Sequence, residues 1–366
     1  MRRRFMKAMA LVAALGLPVA VGAAGGARAI DKASSGDTAR FLAGIAPSAG
    51  SALVGAAGSG GFKRHARSFD SAWASLEKRQ LSKIRAWSKE NLTGPSATML
   101  YLFSGPDYLY AQAFYPHAKT YVFAGLEPIG DEPDLANMND ARRARGLQHL
   151  QSSINSVLNL SFFKTREMRM KLSGQGFPGT IPVLMTFIAR AGGDVESVTR
   201  MKLEDDGKLT EAAKGASANV ARIVFTAPGS QDKRTLYYFS TDISNSGLRK
   251  SGFATFVKAQ GAADALVKSA SYLMHNSSFS DTRALLLGQA KRLVQDDSGV
   301  PLRNIDKTVF DITPYGNYTG PIPLFSGQYQ RDMAQLFKAG KRRPLPFGMG
   351  YRYRPGDTSI ILAVKK

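Results

Sequence analysis

The chain has 366 residues, and its content of 44% hydrophobic, 21% charged and 10% aromatic residues excludes a fibre or a disordered tail. It contains no cysteine, which excludes disulfides, thiol catalysis, iron–sulfur clusters, cysteine-ligated zinc and a lipoprotein anchor. Its net charge of +21 is far from neutral and favours polyanionic partners.

Residues 1–29 have the features of an export signal. Arg2-Arg3-Arg4 and Lys7 precede a stretch rich in Ala, Gly and Val, and Ala27-Arg28-Ala29 supplies the small residues of a cleavage site. The start also fits Arg-Arg-x-Phe-x-Lys, which resembles the twin-arginine export motif, so twin-arginine and general secretory export are both open. A transmembrane anchor is disfavoured because Pro18 and several glycines weaken the stretch. We therefore predict a periplasmic or secreted protein.

The signal contains five basic residues and no acidic ones, so its removal would lower the net charge from +21 to +16. A charge of this size favours an anionic envelope polymer or anionic lipid as a partner. Charge spread evenly for solubility is the alternative. Aromatic and basic residues are not interleaved as they are in single-strand binders, so no specific nucleic acid is expected. No transmembrane segment is expected after signal removal.

Residues 30–95 are predicted to form a helical N-terminal region. A short helix at 37–42 is followed by a Gly-, Ala- and Ser-rich linker at 43–61. A long helix is predicted at 69–92, because its large apolar residues recur at spacings of three, four and eight. Gly94-Pro95 ends this helix.

The pattern changes to alternating strands and helices in the region 96–366. Mostly apolar runs at 98–103 and 120–126 predict strands buried on both faces. With a helix at 108–115 between them, they form a βαβ unit with parallel strands and a right-handed crossover. Further helices are predicted at 142–160, 164–172 and 181–191, and further strands at 195–203, 220–225 and 235–240.

A second strand–helix–strand unit is predicted from 265–274, 279–287 and 291–295. A helix at 328–337 and a hairpin formed by 347–353 and 359–364 complete the chain. The fold class predicted from this order is α/β, with a mainly parallel, Rossmann-like central sheet, helices on both faces and antiparallel strands added towards the C-terminus.

Polar residues follow several predicted strands, and ligands of open α/β sheets bind at the carboxyl ends of strands. The candidate acid/base residues are Asp107, Glu127, Asp242, His275, Asp296 and Asp297. The candidate ligand-binding residues are Ser104, Gly105, Lys268, Ser271 and Ser298.

Each of these candidates also has a purely structural interpretation. Asp107 could favour a helix start, Asp242 could cap a turn, and His275 could be a histidine with satisfied hydrogen bonds. Asp296 and Asp297 are adjacent, so on a strand they would point to opposite faces. A like-charged neighbour could raise a carboxyl pKa towards general-acid use, although solvation would cancel this effect.

Other catalytic and metal motifs are weak. The chain has no Gly-x-Ser-x-Gly elbow, and Ser-x-x-Lys at 75–78 and 161–164 lacks the partner motifs of penicillin-binding enzymes. The turn at 104–107 lacks the three-glycine dinucleotide fingerprint. The four histidines are not closely paired, so we predict no metal site and leave any cofactor unknown.

Five segments resemble those of a family of uncharacterised exported bacterial α/β proteins. They are FSGPD at 103–107, GLEP at 125–128, YFSTD at 238–242, KSASYLMH at 268–275 and QDDSG at 295–299. The similarity extends from about residue 37 to the end of the chain. The family has no established activity, so the resemblance implies an exported α/β protein and no mechanism.

Three functions are therefore open. The first is an envelope hydrolase or transferase acting on a glycan or another small polar substrate. The second is a non-catalytic periplasmic binding protein for an anionic ligand. The third is a methyltransferase-like protein that binds a nucleotide cofactor, against which export argues because such cofactors are scarce outside the cytoplasm.

Overall fold

The computed structural model of the protein describes residues 33–160, 176–213, 215–340 and 342–366. The proposed signal at 1–29 and the predicted helix at 164–172 lie outside the described residues. The described residues belong to one compact unit, in which the helical N-terminal region packs onto the α/β region.

The centre of the molecule is a single mixed sheet. In the described residues its strands are β1 (Thr98–Leu102), β2 (Thr120–Gly125), β3 (Asp194–Leu203), β4 (Leu209–Glu211), β5 (Val220–Thr226), β6 (Lys233–Ser240), β7 (Ala263–Val267), β8 (Ala290–Asp296), β9 (Phe310–Gly316) and β10 (Ser359–Lys365). Their order is β4-β3-β5-β6-β2-β1-β7-β8-β10-β9. The five strands from β6 to β8 are parallel, and antiparallel strands extend the sheet on both sides. The predicted α/β class is confirmed.

Helices cover both faces of the sheet. The α-helices among the described residues are α1 (Ser35–Leu42), α2 (Val54–Ala57), α3 (Gly60–Leu76), α4 (Ser82–Asn91), α5 (Tyr108–Phe114), α6 (Asp140–Leu160), α7 (Ile181–Arg190), α8 (Asn245–Arg249), α9 (Phe253–Ala259), α10 (Ser280–Gln289) and α11 (Arg331–Lys338). A π-helical turn, Glu77–Leu81, joins α3 to α4.

The burial of β1 shows why this strand lies at the centre. All five of its residues are buried. Met99 and Tyr101 pack into the hydrophobic cluster on one face, while Leu100 and Leu102 pack into the cluster on the other. Successive side chains of a strand alternate between faces, so an apolar run of this kind needs cover on both sides.

The predicted strand at 265–274 is too long. β7 ends at Val267, and the chain then turns through residues with positive φ into a 3₁₀ turn, Leu273–His275. Residues 268–272 are therefore a loop at the carboxyl end of β7. Hydrogen bonds from distant residues fix this loop, so the local pattern did not reveal it.

The predicted hairpin between 347–353 and 359–364 is also wrong. β10 pairs with β8 and β9 instead. β9 was not predicted. Pro314 lies within it, and proline in a sequence argues against a central strand. β9 is an edge strand of the sheet, where a missing N–H donor is tolerated.

Candidate functional site

The order of the parallel strands reverses between β1 and β7. After β1 the chain adds β2 and β6 on one side, and it then returns to add β7 and β8 on the other side. Because these strands are parallel, their carboxyl ends meet at one edge of the sheet. The loops that leave β1 and β7 therefore meet at the point of reversal, which is the usual ligand position in open α/β sheets. We call this position the switch-point crevice.

A buried ion pair joins the two loops of the switch-point crevice. Lys268 follows β7 directly, and Asp107 is the N-cap of α5 in the connection from β1. Lys268 Nζ lies 2.7 Å from Asp107 Oδ2, and the two side chains are only 1% and 2% exposed. The Tyr101 hydroxyl donates to the same oxygen at 2.9 Å, and the Tyr110 N–H donates to Oδ1 at 3.3 Å. Burial lowers the pKa of Lys268, and the charge of Asp107 opposes that shift.

Two adjacent buried carboxyl groups lie next to this pair, at the end of β8. Asp296 Oδ2 accepts from the Ser269 N–H at 2.9 Å, and its Oδ1 accepts from the Ser298 N–H at 2.9 Å and from the Ser298 hydroxyl at 2.5 Å. Asp297 Oδ2 accepts from the Tyr272 hydroxyl at 2.7 Å. Burial raises the pKa of both carboxyl groups. The negative charge of Asp296 adds to this effect and brings the pKa of Asp297 to about 7.

The loops that form the switch-point crevice carry backbone strain. Phe103, Ser269, Ser271 and Tyr272 have φ values of 66°, 52°, 50° and 54°, and in the described chain they are the non-glycine residues with positive φ. All four follow β1 or β7. This left-handed conformation is unfavourable for residues with a Cβ, and such strain persists where neighbouring contacts enforce it, often at functional sites.

The connection from β9 to β10, residues 317–358, lies over this position through Phe325 and Tyr351, and we call it the cover segment. The Tyr351 hydroxyl donates to the Ser269 carbonyl at 3.0 Å and accepts from the Ser271 N–H at 3.2 Å. Its ring stacks on Tyr272, with centroids 6.2 Å apart, and the ring of Phe325 lies 5.0–5.2 Å from both rings. The cover segment thus closes the crevice with aromatic side chains.

Gly350 brings the backbone of the cover segment against the Asp296 carboxylate. Its φ is +74°, and an added Cβ would overlap the carboxylate. We expect Gly350→Ala to lower the free energy of unfolding by about 2–4 kcal/mol, because strain and overlap act together. The control is Gly356→Ala, where φ is +97° but no atom lies within 4 Å of the added Cβ. The free energy of unfolding is measured by urea unfolding. An equal loss in Gly350→Ala and Gly356→Ala would contradict the close contact between Gly350 and the Asp296 carboxylate.

Glu127 lies at the end of β2, beside the loop that follows β1. Its side chain is buried, and Oε2 accepts from the Tyr238 hydroxyl at 2.8 Å. A Cβ on Gly125 would lie 2.5 Å from Glu127 Oε2 and 3.4 Å from the Cα of Gly105. Ser104 is buried and donates through its hydroxyl to Ala124 O at 3.3 Å. Glu127, Ser104 and Gly105 therefore border the switch-point crevice from the β2 side.

Asp242 and His275 lie outside the ion-paired centre. Asp242 is exposed, and its carboxylate accepts from the N–H and hydroxyl of Ser244 at 2.8 and 2.9 Å, as a turn cap does. His275 is half-buried, with its ring 5.1 Å from that of Tyr272. Burial, with a contribution from Arg303, lowers the pKa of His275 to about 4, so the imidazole is neutral at pH 7.

Of the residues singled out in the sequence, the structure gathers six around the crevice centre. They are Asp107, Lys268, Ser271, Asp296, Asp297 and Ser298. Sequence reasoning missed the tyrosines that hold these groups, namely Tyr101, Tyr272 and Tyr351. A tyrosine inside an apolar strand, such as Tyr101, needs a partner for its hydroxyl, and this requirement could have identified it.

Among the described residues, no three histidine, aspartate or glutamate side chains are placed to hold a metal ion. Within those same ranges, no helix has the length and apolar character needed to cross a membrane. No family model matches the chain, and no curated protein or solved structure matches it. The chemistry of the switch-point crevice is therefore the basis for a functional proposal.

Proposed function

We propose that the chain is an exported envelope enzyme, a hydrolase or transferase that acts on a glycan or another small polar substrate. The observation that carries this proposal is the Asp107–Lys268 pair across the switch-point crevice, with Asp296 and Asp297 buried beside it. Burying ionisable groups is unfavourable, so a fold has little reason to collect four of them for stability alone. Shifted pKa values in a cleft are typical of functional sites.

Asp297 is the general acid and base in this proposal. Because its pKa is about 7, both protonation states are populated near neutral pH, which is the condition for efficient proton transfer. Lys268 supplies a positive charge that can stabilise negative charge developing on the substrate. Asp107 is a positioning residue, since it fixes the Lys268 ammonium, and Asp296 fixes the loop backbone at Ser269.

The charges around the switch-point crevice bear on the substrate class. Its borders carry four acidic side chains, Asp107, Glu127, Asp296 and Asp297, against Lys268 as the buried cation and Arg352, whose charge acts on Asp297. This balance favours a neutral, hydroxyl-rich ligand over an anion. The aromatic rings of the cover segment offer apolar faces to a sugar ring. A glycan therefore fits the site better than the anionic ligand of a binding protein.

A nucleotide-cofactor protein is the second candidate. The parallel order β6-β2-β1-β7-β8 matches the first five strands of the doubly wound dinucleotide-binding sheet. Glu127 lies two residues after β2, near the place where such folds put the carboxylate that binds a ribose. Against it, the Asp107 carboxylate occupies the start of α5, where a phosphate would lie. One oxygen of Glu127 is already bonded to Tyr238.

A panel of 4-nitrophenyl glycosides and 4-nitrophenyl acetate tests the enzyme proposal. We expect the protein to release 4-nitrophenol from at least one glycoside, and we expect Asp297→Asn to reduce that rate by about 100-fold or more, as loss of a general acid does. The control is Asp311→Asn, a carboxylate with 77% of its side chain exposed. Equal rates for the protein and Asp297→Asn on every probe would contradict the proposal.

A further inference from the structure

The cover segment combines positive charge with exposed apolar side chains. Residues 317–358 contain seven lysine and arginine residues and two aspartates. Leu324 is 80% exposed, the highest value for a large hydrophobic side chain in the described residues, and Tyr329 is 53% exposed. Arg331, Lys338, Arg342 and Arg354 of the same segment are also exposed.

Other exposed apolar side chains lie at the same edge of the sheet. Leu126 follows β2, and Leu273 follows Tyr272, whose ring contacts Phe325 next to Leu324. Val309 and Val364 lie at the opposite edge, at the start of β9 and the end of β10. Four of the seven exposed large hydrophobic residues in the described chain thus lie in the loops after β2 and β7 and in the cover segment. Exposed apolar side chains gathered at one edge of a sheet are typical of an interaction surface.

We propose that the cover segment docks the carboxyl edge of the sheet onto an anionic lipid surface, with Leu324 and Tyr329 inserted among the headgroups. Stable attachment to a bilayer surface needs two signals, an inserted apolar group and a basic patch, and this segment has both. Tyrosine suits the position because its ring is apolar and its hydroxyl stays hydrated.

This orientation turns the cover segment, and the carboxyl edge of the sheet beneath it, towards the lipid surface. A substrate held close to a bilayer would then lie next to the loops that form the switch-point crevice. The proposal does not depend on catalysis, because lipid binding and turnover are measured separately.

Cosedimentation with vesicles tests the docking surface. The full chain is mixed with vesicles of phosphatidylglycerol and phosphatidylcholine, or of phosphatidylcholine alone. We expect binding only to the anionic vesicles, and we expect Leu324→Ser with Tyr329→Ser to weaken it about tenfold or more. The matched control is Val309→Ser with Val364→Ser, at the opposite edge. All variants share residues 1–32, so differences between them report on the exposed side chains.

Two outcomes would overturn the proposal. An equal loss of vesicle binding in the two double variants would show that the carboxyl edge of the sheet is not a specific docking surface. Binding that heparin abolishes, and that Leu324→Ser and Tyr329→Ser leave unchanged, would indicate a soluble polyanion as the partner.

A second measurement uses Leu324→Trp and Val309→Trp, with brominated phosphatidylglycerol as the quencher. We expect the tryptophan at 324 to be quenched and the one at 309 to remain at the background of Trp73 and Trp87. No quenching at 324 would exclude insertion, and an unchanged thermal midpoint in each variant shows that the fold is intact.

Discussion

Asp297→Asn is expected to raise the free energy of unfolding at pH 8 by about 2–4 kcal/mol while it reduces the proposed activity by about 100-fold or more. The folded-state pKa of Asp297 is about 7, against an ordinary value of 3.8. A carboxyl group whose pKa is raised by folding favours the folded state below its unfolded pKa. That contribution is lost as the pH rises from about 4 to about 7.

Asparagine cannot ionise, so it removes this pH-dependent loss. It still offers an oxygen that accepts from the Tyr272 hydroxyl, as Asp297 Oδ2 does at 2.7 Å. Urea unfolding at pH 4 and pH 8 measures the effect. The gain is expected at pH 8 and not at pH 4, and the exposed control Asp311→Asn should show no gain at either pH. A gain of equal size at both pH values would show that ionisation of Asp297 is not its cause.

Stabilisation of the fold by Asp297→Asn at pH 8 would also support a functional role for Asp297, and this test needs no known substrate. A residue that destabilises the fold at neutral pH is retained when activity requires it, which is the usual trade-off at active sites. The Tyr272 hydroxyl needs only an acceptor, which an amide also supplies, and the charge of Arg352 offsets only part of the cost of burying the Asp297 carboxylate.

The centre of the fold could be predicted from the sequence because its signal is local. β1 and β2 are apolar runs with every central residue buried, and the helix between them is short and apolar. The βαβ unit follows from this order, and so does the edge at which the polar residues emerge. The hairpin of β5 and β6 was equally clear from Pro228-Gly229 between two alternating runs.

The end of β7 could not be predicted because its signal is not local. Residues 268–274 read as a continuation of the strand. The chain turns there because Asp296 accepts from the Ser269 N–H and Tyr351 bonds to Ser269 and Ser271. These partners lie 27 and 80 or more residues away, so neither periodicity nor propensity in the loop itself could reveal the turn.

In the candidate site, too, some features could be predicted from the local sequence and others depend on distant contacts. The strand ends correctly indicated which residues emerge at the carboxyl edge, but they did not distinguish a turn cap from a buried acid. Asp242 and Asp107 both follow a strand, yet Asp242 bonds to the next turn and Asp107 bonds to a lysine 161 residues away. That difference depends on the tertiary packing of two loops.

Lys268→Met is expected to lower the free energy of unfolding by about 3–5 kcal/mol, because it leaves the Asp107 charge buried without its cation. Methionine fills a similar volume, so the loss reports on charge more than on packing. The matched control is Arg249→Met, which breaks the Arg249–Asp281 pair at 2.9 Å, where the arginine side chain is 70% exposed. That exposed pair should contribute no more than about 1 kcal/mol.

The double variant Lys268→Met with Asp107→Asn separates the ion pair from the other bonds of Asp107. Asparagine can still cap α5 and accept from the Tyr101 hydroxyl, as Asp107 does. We expect the double variant to lose about 1–3 kcal/mol less than the sum of the two single losses, because neither charge is then left buried alone. Strict additivity in urea unfolding would mean that the two groups do not interact. The switch-point crevice would then lack the contact that joins its two loops, and the proposed role of Lys268 as a fixed charge would fail with it.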